Sequence, residues 1–93
     1  MVEKEKKDIV AVFGKEVFNA VADSLAYLYA RWQDEKEYED FEEYKNEAKK
    51  ILPTNCEFKK MTKNPFELIF IYENVEHHIR VNSRVVSSYY RML

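Results

Sequence analysis

Residues 15–52 contain neither glycine nor proline; the whole chain of 93 residues has one glycine, Gly14, and two prolines, Pro53 and Pro65. An uninterrupted stretch of that length has nothing to stop a helix, since these two residues are the strongest local breakers. Val17, Phe18, Val21, Leu25, Leu28, Tyr29 and Trp32 recur at three- and four-residue spacing and so lie within one apolar stripe of a helix. Before it, Ile9, Val10, Val12 and Phe13 form a shorter apolar cluster, also expected to be helical. Gly14 either ends that cluster or sits inside a longer helix at a cost of about 1 kcal/mol.

One rod or two helices is decided by phase. At roughly 100° per residue, Tyr38, Phe41, Tyr44, Ala48 and Ile51 point roughly 160° away from the stripe that ends at Trp32. A straight rod would aim its two apolar halves in opposite directions, whereas a turn near residues 34–40 lets both face one core. The expectation is a helical hairpin. Asp40 followed by Glu43 fits a capping box, and the second arm should end at Leu52, before Pro53.

Beyond "LPTN" the chain reads as strand. "CEFKKMT", "PFELIFIYEN" and "VEHHIRVN" are rich in β-branched and aromatic residues and are parted by turn residues at 63–65 and 73–74. They predict a three-stranded antiparallel meander with residues 66–72 at its centre. Asn82 or Ser83 is expected to cap a short closing helix carrying Val85, Val86, Tyr89, Tyr90 and Leu93. The whole is a single α+β domain over residues 1–93. With 46% apolar and 15% aromatic residues it can offset the entropy of folding, and order is expected almost from end to end. One cysteine, Cys56, allows no internal disulfide and points to a reducing compartment. No secretory signal or membrane-spanning run is found, so the expected location is the cytoplasm.

Charge is distributed unevenly. The net charge is -2, but residues 1–33 are balanced, residues 34–47 carry eight acids against two lysines, and residues 48–93 carry eight bases against four acids. Glu39, Glu43 and Glu47 sit four apart along one edge of the second arm, while Asp34, Glu35 and Glu37 crowd the turn. A solvated helix face accounts for such a pattern, with the acids favoured near a helix N-terminus. So does an anionic surface that competes for a partner's phosphate-binding groove.

Residues 32–46, "WQDEKEYEDFEEYKN", resemble the acidic, tyrosine-containing segment of small anti-CRISPR proteins carried by phages and prophages of Gram-positive bacteria. Those proteins inhibit RNA-guided DNA nucleases by occupying the site that reads target DNA. The resemblance implies a phage or mobile-element inhibitor at work in a bacterial host's cytoplasm, with Asp34, Glu35, Glu37, Glu39, Asp40, Glu42 and Glu43 facing the partner. Tyr38, within this set, and Glu47, one residue beyond the segment, complete the expected partner-binding residues. Tyr38, Tyr44 and Trp32, on stripe borders, would suit such an interface.

The opposite charge gathers at "FKKMTKNPF", where Lys59, Lys60, Lys63 and Asn64 lie on or beside a turn. Three helices followed by a basic hairpin resemble a winged helix, which gives the alternative function, a small DNA-binding regulator. Direct DNA binding ranks behind, because the preceding helix is the most acidic element and duplex phosphates repel it. The lysines equally protect an edge strand. Self-association through exposed aromatics, as a homodimer, is a third reading.

No enzyme chemistry is expected: the chain shows no nucleophile paired with a base, no phosphate-cradling glycine loop and no metal-ligand spacing. His77 and His78 are adjacent on a strand and leave opposite faces, so they cannot share a metal, and His77 has the parity of a core residue. Cys56 reads as an inert thiol. No cofactor is implied.

Overall fold

The computed structural model describes residues 8–35, 40–83 and 85–93. Three helices, α1 (Ile9–Phe13), α2 (Lys15–Glu35) and α3 (Phe41–Lys50), precede four strands, β1 (Glu57–Thr62), β2 (Phe66–Tyr72), β3 (Val75–Asn82) and β4 (Val85–Met92). The strands form one antiparallel sheet in the order β1-β2-β3-β4, with every neighbour also adjacent in sequence.

Gly14 separates α1 from α2. Its φ of 93° and ψ of 158° lie in a region that only glycine occupies without strain, while its N–H still closes α1 on Val10. The break lets Phe13 turn onto the sheet, where its ring meets Tyr72 at 4.8 Å and His77 at 5.8 Å.

α2 and α3 run antiparallel, as phase requires. Trp32, near the end of α2, packs edge-on against Phe41 and Tyr44 at the start of α3, while Leu28 and Asp23 share a cleft with Glu47 and Ile51 further along. Asp40 caps α3, accepting the Glu42 N–H on its side chain at 3.1 Å; the Glu43 N–H instead bonds the Asp40 carbonyl. The connecting residues 36–39, and with them Glu37, Tyr38 and Glu39, lie outside the described residues.

The sheet has two unlike faces because strand side chains alternate. Phe58, Met61, Phe66, Leu68, Phe70, Ile79, Val81 and Val86 point toward the helices and pack with Ile9, Val21, Leu25, Leu28, Phe41, Tyr44 and Ala48. Every sheet member of this core comes from that inner face. Glu67, Ile69, Glu76, His78, Arg80 and Tyr89 occupy the other.

The expected closing helix is not there. Residues 85–92 form β4, so the meander has four strands and not three. Asn82 and Ser83 do not cap a helix: Asn82 pairs with Val85, and Ser83, at φ 55°, begins the tight turn between the two strands. The spacing of Val85, Val86, Tyr89, Tyr90 and Leu93 fits one helical face, but a strand beside β3 satisfies β3's free backbone groups, which a helix would leave unpaired. Valine, serine and tyrosine also suit a pleated surface.

Gly14 gives a test with an unambiguous sign. A Cβ there meets nothing within 4 Å, so only the backbone responds to substitution. Gly14→Ala should lower stability in urea unfolding by about 1–3 kcal/mol. Helix propensity alone would raise it by about 1 kcal/mol.

Candidate functional site

Two charged constellations emerge, one expected from the sequence and one not. The expected one is the acidic hairpin. Among the described acids, Asp34, Asp40, Glu42, Glu43 and Glu47 are all exposed, whereas Phe41 and Tyr44 of the same segment are buried. Glu35 closes α2. Tyr44 is therefore a core residue rather than an interface residue, and Trp32 is half-buried against it.

The acids are not spread evenly over the hairpin. α3 itself is balanced, with Glu42, Glu43 and Glu47 against Lys45, Lys49 and Lys50; the excess lies in residues 34–40, where five acids meet one lysine. Along α3 the acids lead and the lysines follow, which suits the helix dipole. Lys45 bonds Glu42 at 3.1 Å and Lys50 bonds Glu47 at 3.3 Å, both pairs solvent-exposed. Pairs of that kind contribute at most about 1 kcal/mol and exchange readily, so they leave both carboxylates available to an incoming cation. Arg31 lies over the Tyr44 ring and, with Glu43, Asn46, Glu47 and Lys50, lines a shallow cleft of about 290 Å³.

The basic residues of the second candidate set are partly committed within the molecule. Lys59 is ion-paired with Glu76, and Lys63 sits over the Trp32 and Phe41 rings at 5.8 and 5.3 Å. Lys60 and Asn64 are exposed. Because Trp32 and Phe41 flank the acidic connection, Lys63 and the β1–β2 turn stand at the same end of the molecule as Asp34 and Asp40. Lys59 and Lys60 also mark an irregularity in the sheet's pairing, between Phe58 and Lys60 on the edge strand β1. This fits edge protection.

The unexpected constellation lies on the outer sheet face. His78 on β3 stands between two buried carboxylates, Glu67 of β2 and Glu76 of β3: Nδ1 meets Glu67 Oε1 and Nε2 meets Glu76 Oε1, each at 2.7 Å. Arg80 Nε donates to Glu67 Oε2 at 2.7 Å, the Tyr89 hydroxyl donates to Glu67 Oε1 at 3.0 Å, and Lys59 donates to Glu76. The Tyr89 ring stacks on His78 at 4.3 Å.

Burial pushes the Glu67 carboxyl upward, but hydrogen bonds from His78, Arg80 and Tyr89 outweigh it and hold it below the ordinary value. Hydrogen bonds from Lys59 and then His78 do the same for Glu76. Bonding to Glu67 raises Arg80, and burial followed by the bond to Glu67 raises Tyr89. Each carboxylate is bonded to partners on neighbouring strands, so the network ties β1, β2, β3 and β4 together in register. Among the described residues no group of three or more histidine, cysteine or acidic side chains is arranged to hold a metal ion. A signal for the network existed in sequence: Glu76, His78 and Arg80 alternate on one strand, and Glu67 has the matching parity on the next.

His77 leaves the opposite face, as its parity requires. It is buried and stacked on Phe70 at 5.4 Å, with both ring nitrogens lacking a partner among the described residues. Burial lowers its pKa below 6.5, against a smaller opposing effect of Asp8. Burial pushes the Cys56 thiol up to about 11, which keeps it protonated and unreactive at neutral pH.

No protein-family model, curated protein or solved structure matches the chain. Among the described residues no helix is long and apolar enough to cross a membrane.

The two histidines predict distinct behaviours. His77 is neutral in the fold, so its contribution is complete above pH 6.5 and declines as pH falls below that value. Glu67 and Glu76 contribute fully above 4.5 and lose their contribution as pH falls through their lower folded values. Urea unfolding across acid pH should show both losses, and His77→Phe should remove the first alone. His78→Ala removes one hydrogen bond from each of the two carboxylates, which keep Arg80, Tyr89 and Lys59, and should lower stability in urea unfolding. Replacing the trio together, with Glu67→Leu, Glu76→Leu and His78→Phe, should be far milder than His78→Ala by the same measurement.

Proposed function

We propose that this protein is a non-enzymatic binding protein that presents the acidic end of its α2–α3 hairpin to a protein with a basic, nucleic-acid-binding groove. The observation that carries this reading is the division of labour within one segment. The aromatic residues of residues 32–44 that are described go into the core, and the described acids of the same segment go to water. The acids thus serve no packing role that would explain their number.

The local excess of residues 34–40 falls at the end of α2 and between the two helices, a concentration of carboxylates that suits a groove shaped for a phosphate backbone. Closely spaced carboxylates offer such a groove the charge density it is built to hold. The resemblance of residues 32–46 to anti-CRISPR inhibitors makes an RNA-guided DNA nuclease the first partner to test, and a phage or other mobile element in a bacterial host the corresponding setting. Direct DNA binding through Lys60, Lys63 and Asn64 is disfavoured by position: a duplex approaching that turn meets Asp34 and Asp40 at the same end.

The test is a gel-shift assay of target-DNA loading onto a guide-loaded nuclease, with this protein added in excess at low and at moderate salt. Loading should be blocked, and less so at the higher salt as the ions screen the carboxylates. Asp34→Lys with Glu43→Lys should weaken the block at least about tenfold. Shifting of the DNA by this protein alone, strengthened by those two reversals, would instead support the DNA-binding regulator.

A further inference from the structure

The two edges of the sheet are not alike. β1 carries the pairing irregularity and two lysines, devices that discourage another strand from docking. β4 pairs with β3 without interruption over its whole length and has no lysine, acid or proline. No described residue pairs with its outer edge. The exposed large apolar side chains also concentrate there: Val85 is 63% exposed, Tyr89 45%, Met92 58% and the adjoining Leu93 61%. α1 also packs against β4, and its Val10 is exposed.

The direction of β4's free backbone groups follows from one bond. The Leu93 N–H donates to the Asn74 carbonyl, and these two residues lie directly opposite in the register that pairs Val75 with Met92. Leu93 therefore faces β3, as do Arg91, Tyr89, Ser87 and Val85 by alternation. Val86, Ser88, Tyr90 and Met92 direct their N–H and C=O groups to the open edge.

These four positions are symmetric about Tyr89. So are Val85, Tyr89 and Leu93, the exposed apolar residues of the outer face. An antiparallel pair related by a two-fold axis at Tyr89 sets Ser88 against the second copy's Tyr90 and Val86 against its Met92, so every outward group of both strands is bonded. The same register opposes Val85 to Leu93 and Ser87 to Arg91. It also keeps the two Arg91 side chains about 13 Å apart along the strands. Shifting the centre to Ser88 would set the exposed apolar Val85 against Arg91. One centre satisfies backbone, apolar surface and charge together.

We infer that β4 is a self-association edge: two copies of this chain pair β4 to β4, antiparallel about Tyr89, to form a continuous eight-stranded sheet. The occupant is a second copy because the edge complements itself, an isologous contact in which each side supplies the same residues.

Sedimentation velocity over a concentration series up to roughly 1 mM tests this, since a dimer must be populated by mass action. The wild-type chain should move from 11.2 kDa toward twice that mass. Ser88→Pro replaces an outward N–H with a ring while sparing every bond to β3, and should stay monomeric with an unchanged circular dichroism spectrum. Ser87 checks the register independently: Ser87→Arg faces Arg91 of the second copy and should weaken the dimer at least tenfold, whereas Ser87→Glu should tighten it. A wild-type chain that remains at 11.2 kDa throughout overturns the inference. So does a dimer that Ser88→Pro leaves intact, or one that the two Ser87 variants move in the same direction. Should Ser88→Pro lose its folded spectrum, the Ser87 pair decides alone.

Discussion

Everything in this fold depends on the alternation of side chains along β2 and β3, which gives the sheet one apolar face and one ionic face. Phe66, Leu68 and Phe70 with Ile79 and Val81 make a surface that water disfavours, and the helices exist to cover it. The cover is anchored by rings: Trp32 on Phe41 and Tyr44, Phe41 on Phe66, and Tyr29 on Phe66 at 5.3 Å. Once those rings are turned inward, helical geometry leaves Glu42, Glu43 and Glu47 no direction but outward. The acidic surface is thus a consequence of where the apolar face of the sheet lies.

The ionic face performs a different task. A one-residue slip of β2 against a fixed β3 would carry Glu67 into the apolar core, away from His78 and Arg80, and bring Leu68 out to the ionic face. Buried charges that are fully paired are weak contributors to net stability but penalise the wrong register heavily. Tyr89 and Arg80 tie β4 into the same network, so the strand with the open edge is held in register by bonds on its outer face. That leaves its outward backbone groups ordered and in line, which is what a strand-to-strand contact requires.

Much of this was legible in the sequence, for identifiable reasons. The long apolar stripe from Val17 to Trp32, the solitary Gly14, the phase reversal before Phe41 and the Asp40 cap are local signals, and local signals decide helices. The strands of residues 57–82 were legible because β-branched and aromatic runs alternate with turn residues. The last strand was not. Val85, Val86, Tyr89, Tyr90 and Leu93 follow helical spacing and not strand alternation, although valine and tyrosine are strand-favouring residue types, and the deciding factor is non-local, the free edge of β3. Glu67, Glu76 and His78 were missed because their burial depends on Lys59, Arg80 and Tyr89 closing over them, a contact among four strands that no single segment announces.

The proposed binding surface lies at the end of the hairpin, where exposed carboxylates stand on an aromatic base of Trp32, Phe41, Tyr44 and Phe66. The base is the central claim, and a double-mutant cycle between Phe41 and Phe66, whose rings lie 6.2 Å apart edge to face, tests it most directly. Alanine at each position and at both, with stability read from urea unfolding, should give a coupling of about 0.5–1.5 kcal/mol beyond additivity. Strictly additive losses would mean that α3 does not rest on the sheet through these rings, and would contradict the account.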